Sequence, residues 1–250
     1  MSEPSRFISG FTQSYEWQPL GNIGVPNPFF YAVDADDFTP WRPDGITVTA
    51  TGNGTVAPTP GVGGLALFTT NSSTPAGTDL ASIQRPNSDF EVPTALTSTL
   101  AFCARIMLPD VLNPQFTVGW LNTTTTPFAP TDGIYFNKAS GAATITCNVL
   151  VGSASKGSFS LNGIFTPTNN VFFDLGWQFE PRTQEFTVFA GVGLVGNKTT
   201  TYNTATLGPV GRFTASAYPT VGMNPTLALQ SGTATSKTMQ ADFFGSFLER

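Results

Sequence analysis

The stretch Phe173-Asp-Leu175-Gly-Trp177-Gln-Phe179-Glu180, then Pro181-Arg-Thr-Gln184 and Glu185-Phe-Thr-Val-Phe-Ala190, reads as a β-hairpin. Phe173, Leu175, Trp177 and Phe179 fall on alternate positions with Asp174, Gly176 and Gln178 between them, so a pleated strand buries one face and wets the other. Pro181 and its polar neighbours supply the turn. The same period of two recurs upstream. Leu100, Phe102, Ala104, Ile106 and Leu108 form one apolar face, with Arg105 and Met107 opposite. Phe116, Val118 and Trp120 alternate with Thr117 and Gly119, and Ile145, Cys147, Val149 and Val151 alternate with Thr144, Thr146 and Asn148. Weaker runs at 45–51, 65–70, 80–85, 134–137, 226–230 and 237–247 extend the pattern, and no segment sustains helical i, i+3, i+4, i+7 spacing. Some ten short strands with turn signals between them predict an all-β fold, a two-sheet antiparallel jelly-roll sandwich. All-β units commonly reach ~200–250 residues, so residues 31–250 are assigned to one sandwich domain.

Residues 1–30 break the pattern. Phe7, Ile8, Phe11, Tyr15, Trp17, Phe29 and Phe30 lie among Ser, Gly, Asn and Pro with no clean strand or helix period. Such a segment cannot bury its aromatics alone. It is read as an extended N-terminal arm that covers one end of its own sandwich or docks on another chain, with those seven residues as the candidate partner-binding anchors.

Composition narrows the chemistry. The 250 residues include no histidine, and only 11% are charged, against ~25% in average soluble domains. Few groups are present that move protons or activate nucleophiles, so the reading is a structural or binding protein and not an enzyme. No cofactor and no metal are expected. Net charge is −5 and the Lys and Arg residues are scattered, which argues against nucleic acid as a partner. No apolar run reaches the ~18 residues of a membrane span, and the first residues lack a secretory pattern, so no membrane partner and synthesis in the cytosol are expected. Cys103 and Cys147 are read as buried, reduced thiols.

Five sequence features offer candidate chemistry. Gly191-Val-Gly193-Leu-Val-Gly196 spells a dinucleotide fingerprint, but Asn197-Lys-Thr-Thr-Thr follows it instead of a helix, and a turn between antiparallel strands is the reading. Asp34, Asp36 and Asp37 have hard oxygen ligands that could hold calcium; a polar turn between arm and first strand is preferred. Glu180 and Glu185 are the closest glutamate pair for glycoside chemistry, yet they straddle a turn, and Ser155-Lys156 and Ser236-Lys237 are simple neighbours. Trp120 and Trp177 fall on inward faces, which leaves Trp41 as the candidate for stacking on a sugar ring.

From about Val33 to Arg250 the chain resembles tailed-bacteriophage virion proteins with a concanavalin-A-like or laminin-G-like sandwich. Asp36-Asp-Phe38, Asn53-Gly-Thr-Val56-Ala-Pro, Gly63-Gly-Leu-Ala-Leu-Phe-Thr-Thr70, Ser82-Ile-Gln-Arg-Pro86, Thr131-Asp-Gly-Ile-Tyr-Phe-Asn-Lys138 and Leu227-Ala-Leu-Gln-Ser-Gly232 carry the likeness, by their order. The resemblance implies a capsid decoration or cement protein on the outer head shell, made in the host cytoplasm. Its partners would be the major capsid protein and neighbouring copies of itself, reached through the arm and the sandwich edge. The alternative is a carbohydrate-binding, lectin-like adhesion module contacting surface glycans, or a tail or fibre component.

Overall fold

The computed structural model describes residues 31–36, 38, 46–59, 64–70, 79–85, 99–122, 125–192, 208–233 and 235–249. They form fifteen strands: β1 Tyr31–Asp36, β2 Thr47–Thr51, β3 Thr55–Thr59, β4 Leu65–Thr70, β5 Leu80–Gln84, β6 Leu100–Met107, β7 Gln115–Leu121, β8 Gly133–Lys138, β9 Ile145–Val151, β10 Ala154–Ser160, β11 Phe172–Glu180, β12 Glu185–Val192, β13 Gly208–Thr214, β14 Asn224–Gln230 and β15 Lys237–Glu249. Every pairing is antiparallel. The first sheet runs β13-β12-β11-β6-β15-β4-β3, with β1 also on β15, and the second runs β10-β9-β8-β7-β14-β5-β2. This is the expected all-β jelly-roll sandwich.

Alternation decides which side chains meet between the sheets. Phe102, Ile106, Phe173, Leu175, Trp177 and Phe179 of the first sheet face Phe116, Val118, Trp120, Ile134, Phe136 and Cys147 of the second, all at 0–1% exposure. Trp120 and Trp177 meet edge to face, ring centroids 4.9 Å apart, the arrangement that aromatic quadrupoles favour. Trp120 Nε1 also donates to Ser246 Oγ at 2.6 Å, a polar tie from sheet to sheet. Both tryptophans are core, as the alternation indicated.

Both cysteines are free and buried, and burial raises their thiols well above the ordinary range. They occupy different surroundings: Cys147 lies within the core cluster, whereas Cys103 shares the outer side of the first sheet with Arg105. The hairpin stands as read, with Phe179 opposite Phe186 and Glu180 opposite Glu185 across the 181–184 turn.

Two expectations are corrected. The aspartate cluster is not a turn before the first strand, because Tyr31–Asp36 is itself a strand, with Tyr31 opposite Glu249 and Asp36 opposite Phe244. Backbone pairing with the long β15 outweighs the turn preference of Asp. The strand count also rises beyond ten, through β1, β3, β10 and β13. Residues 1–30, Asp37 and Trp41 lie outside the described residues.

Candidate functional site

Direct antiparallel partners share a face of a sheet, so register alone assembles the outer surface of the second sheet. One row crosses all seven strands: Thr47, Gln84, Thr226, Gly119, Tyr135, Asn148 and Ser158. The next row is Thr49, Ser82, Ala228, Thr117, Asn137, Thr146 and Ser160. Their chain neighbours Ile83, Val118, Leu227, Phe136 and Cys147 belong to the core, which fixes these rows as outward. Hydroxyls and amides dominate both rows. None of the seven strands contains an Asp or Glu.

Exposure varies across the face. Ser82, Gln84, Thr117 and Thr226 are buried in its middle, while Thr47, Ser158 and Ser160 at its sides are exposed and Asn137, Thr146 and Asn148 are half-buried. Gln84 Nε2 donates to Thr226 Oγ1 at 2.9 Å, whose hydroxyl donates to Asn224 O at 3.0 Å. Asn148 Nδ2 donates to Asn137 Oδ1 and Thr146 O, each at 3.1 Å. These bonds hold the amides in fixed orientations, as a polar binding surface requires.

Tyr135 is the aromatic of this face. It stands opposite Gly119, where a Cβ would come within 2.5 Å of Ile134 O and Tyr135 Cα, so only glycine lets strand β8 sit this close. The ring is nearly buried. Burial, with a smaller contribution from Cys147, pushes the phenol up to about 12, so it remains a neutral donor. No hydrogen bond among the described residues engages its hydroxyl. A flat apolar body ending in a polar tip is suited to contact with a partly polar ring.

Lys138, at the end of β8, is buried, and its Nζ donates to Pro114 O at 2.7 Å, Leu112 O at 2.8 Å and Ala139 O at 3.1 Å. Its charge is spent on tying the 109–114 loop to β8.

The carboxylates of the strands belong to the first sheet. On its outer side Arg105 meets Asp174 at 2.7 Å and Asp242 at 3.7 Å. Burial raises the Asp174 carboxyl, opposed by its hydrogen bonds from Arg105. Glu185 pairs instead with exposed Arg212 at 3.0 Å, near Glu180 at the hairpin end. Ser236 Oγ donates to Thr70 O at 2.6 Å and Lys237 Nζ to Asp110 Oδ2 at 2.7 Å, so these chain neighbours serve separate partners. Gly191 ends within β12; Gly193 and Gly196 lie outside the described residues.

No protein-family model matches the chain, and no curated protein matches it. Solved structures match over most of its length. They include a native glycosidic hydrolase at 12% identity and TM-score 0.58, covering 86% of this chain and 95% of that one. The lectin UEA-II complexed with galactose is 13% identical at TM-score 0.55, covering 88% and 99%. A prokaryotic β-1,3-1,4-glucanase (lichenase) derived from a mouse hindgut metagenome is 11% identical at TM-score 0.55, covering 86% and 98%. The fold is the concanavalin-A-like sandwich. At these identities the likeness extends to the fold alone.

These neighbours overturn the expectation of a non-enzyme. Among structures with this sandwich are a glycosidic hydrolase and a glucanase. The inference from composition failed because glycoside hydrolysis runs on two carboxyl groups and needs no histidine.

The outward rows are partly legible in the sequence, since Thr117, Gly119, Thr146 and Asn148 alternate with apolar positions. Their meeting with Gln84, Thr226 and Tyr135 depends on register between distant strands, which alternation within one strand does not reveal.

Proposed function

We propose that the protein binds neutral carbohydrate on the outer face of its second sheet. The observation that carries this reading is the pair of seven-residue rows without a charged side chain, with Tyr135 set among amides and hydroxyls. A neutral sugar offers hydroxyls that both donate and accept, plus apolar C–H faces. Gln84, Asn137 and Asn148 match the first and Tyr135 the second. Lectin neighbours, one complexed with galactose, support the reading at the level of fold. A glycan array tests it: the intact protein should retain neutral oligosaccharides, and Tyr135→Ala should lose them while remaining folded. Absence of any retained glycan, or retention unchanged in both Tyr135→Ala and Asn148→Ala, would refute it. Trp41→Ala in parallel tests whether that residue contributes.

A second reading concerns where such a module sits. The ordered sequence resemblance supports a place on the surface of a phage particle, with Phe7, Ile8, Phe11, Tyr15, Trp17, Phe29 and Phe30 docking on the major capsid protein or a neighbouring copy. Deleting residues 1–30 should then abolish occupancy on purified particles while the sandwich stays folded; full occupancy of the truncated chain excludes the arm as anchor.

A further inference from the structure

Two Asn-Gly pairs occur in the chain, Asn53-Gly54 and Asn162-Gly163, and the fold places them in opposite surroundings. Asparagine is chemically labile, most of all before glycine, where no Cβ shields the next backbone nitrogen from the side-chain amide. Both asparagines are exposed. Asn53-Gly54 lies in the short link from β2 to β3. There Gly54 is buried, its N–H donates to Thr51 O at 3.2 Å, and a Cβ would collide with Leu80 O of β5. Asn53 N donates to Asp79 Oδ1, also at 3.2 Å. The attacking nitrogen is thus engaged and its backbone is wedged against a neighbouring strand.

Asn162-Gly163 follows β10, in a turn that Ile164 N closes by donating to Leu161 O at 3.0 Å. Gly163 holds the third place of this turn with φ +72°, a position that favours glycine. It is exposed, and a Cβ there would meet nothing within 4 Å. Because Ile164 supplies the donor of the turn, Gly163 N–H takes part in no hydrogen bond among the described residues, and neither does the Asn162 side chain. Asn162 N, which does not react, donates to Ser160 Oγ at 3.2 Å.

We propose that Asn162 is a site of spontaneous deamidation in the folded protein and that the fold protects Asn53. Gly163 N bonds to Asn162 Cγ, the Cγ–Nδ2 bond breaks, and ammonia departs with the proton that Gly163 N gives up, leaving a five-membered succinimide. Water then opens the ring at either carbonyl, to aspartate or to isoaspartate, and the acid formed releases its proton. Each product carries one carboxylate where a neutral amide stood. That charge arises two residues beyond Ser160, the last member of the second outward row, whose seven strands contain no Asp or Glu. The proposal does not depend on what those rows bind.

Timed incubation of the full chain in mildly alkaline buffer tests this, with fragmentation mass spectrometry of its peptides reading each asparagine separately. In the folded protein Asn162 should convert about tenfold faster than Asn53 or more, since one hydrogen bond of ordinary strength must break at Gly54 and none at Gly163. In urea that unfolds the chain the two should convert at similar rates, because neither glycine then has a fixed partner. Equal rates in the folded protein, whether both react or neither does, overturn the proposal, as does faster conversion at Asn53. A rate difference that persists undiminished in urea overturns it too, because the cause would then lie in the neighbouring sequence and not in the turn.

Discussion

Arg105 grips Asp174 through two parallel hydrogen bonds, Nε to Oδ1 at 2.7 Å and Nη2 to Oδ2 at 3.0 Å, on the outer side of the first sheet. The Asp174 side chain is 6% exposed and that of Arg105 25%, so the pair is largely out of water, and Asp242 adds a second carboxylate at 3.7 Å. Strand register sets this contact, because Asp174 lies directly opposite Arg105 between β11 and β6.

Removing one partner strands the other's charge. Asp174→Ala is expected to cost about 3 kcal/mol, the low end for breaking a buried pair because Asp242 remains beside the guanidinium. The double variant Arg105→Met/Asp174→Leu should lose much less, since it removes both desolvated charges. Urea denaturation of the two variants checks the order; equal losses would mean that the pair acts only through packing.

Lys138 gives a pH signature. Burial lowers its ammonium to about 8, against an upward pull from Asp110. In the unfolded chain the ordinary value is about 10.4. Between these values the unfolded chain carries more protons at this site than the folded one, so this residue's contribution to stability rises with pH through the window. Lys138→Met loses the bonds to Leu112, Pro114 and Ala139 carbonyls and should cost about 2–3 kcal/mol at pH 7. The gap to the unmodified protein should widen between pH 8 and pH 10, measured by urea titration at each pH; a gap that narrows there would contradict the lowered value.

The strands that alternation found and those it missed differ in position. β6, β7, β9 and β11 are internal to their sheets and carry bulky residues at every second place. The missed β1, β3, β10 and β13 all lie at sheet edges, where an inward position buries little and Ser, Gly, Pro and Thr suffice. Edge strands are held by pairing with a neighbour, a signal that single-strand periodicity does not contain. The candidate face was hidden for a related reason. In the sequence Tyr135 belongs only to the weak run 134–137, and its importance arises from Gly119 opposite it on β7.

Gly119 tests that relationship. Its φ of +153° and the 2.5 Å approach to backbone atoms of Ile134 and Tyr135 leave no room for a methyl group. Gly119→Ala should therefore destabilise by about 1–3 kcal/mol, as overpacking at a rigid contact does. By contrast Gly141→Ala, whose Cβ would meet nothing within 4 Å, suffers only from its positive φ of 74° and should cost about 1 kcal/mol. Thermal denaturation of both separates contact from conformation; the reverse order would show that β7 can move away from β8.

Tyr135 allows the two halves of its proposed role to be separated. Tyr135→Phe keeps the ring and deletes the hydroxyl, so stability should change by less than about 1 kcal/mol, because no bond among the described residues is lost. If the hydroxyl reaches a sugar, glycan affinity should nonetheless fall about tenfold, the loss of one hydrogen bond of ordinary strength. Tyr135→Ala removes the platform as well and should abolish retention. Isothermal titration with the best array ligand distinguishes the cases. Equal affinity for Tyr135→Phe and the unmodified protein would confine the residue to stacking, whereas equal affinity for all three would remove Tyr135 from the site.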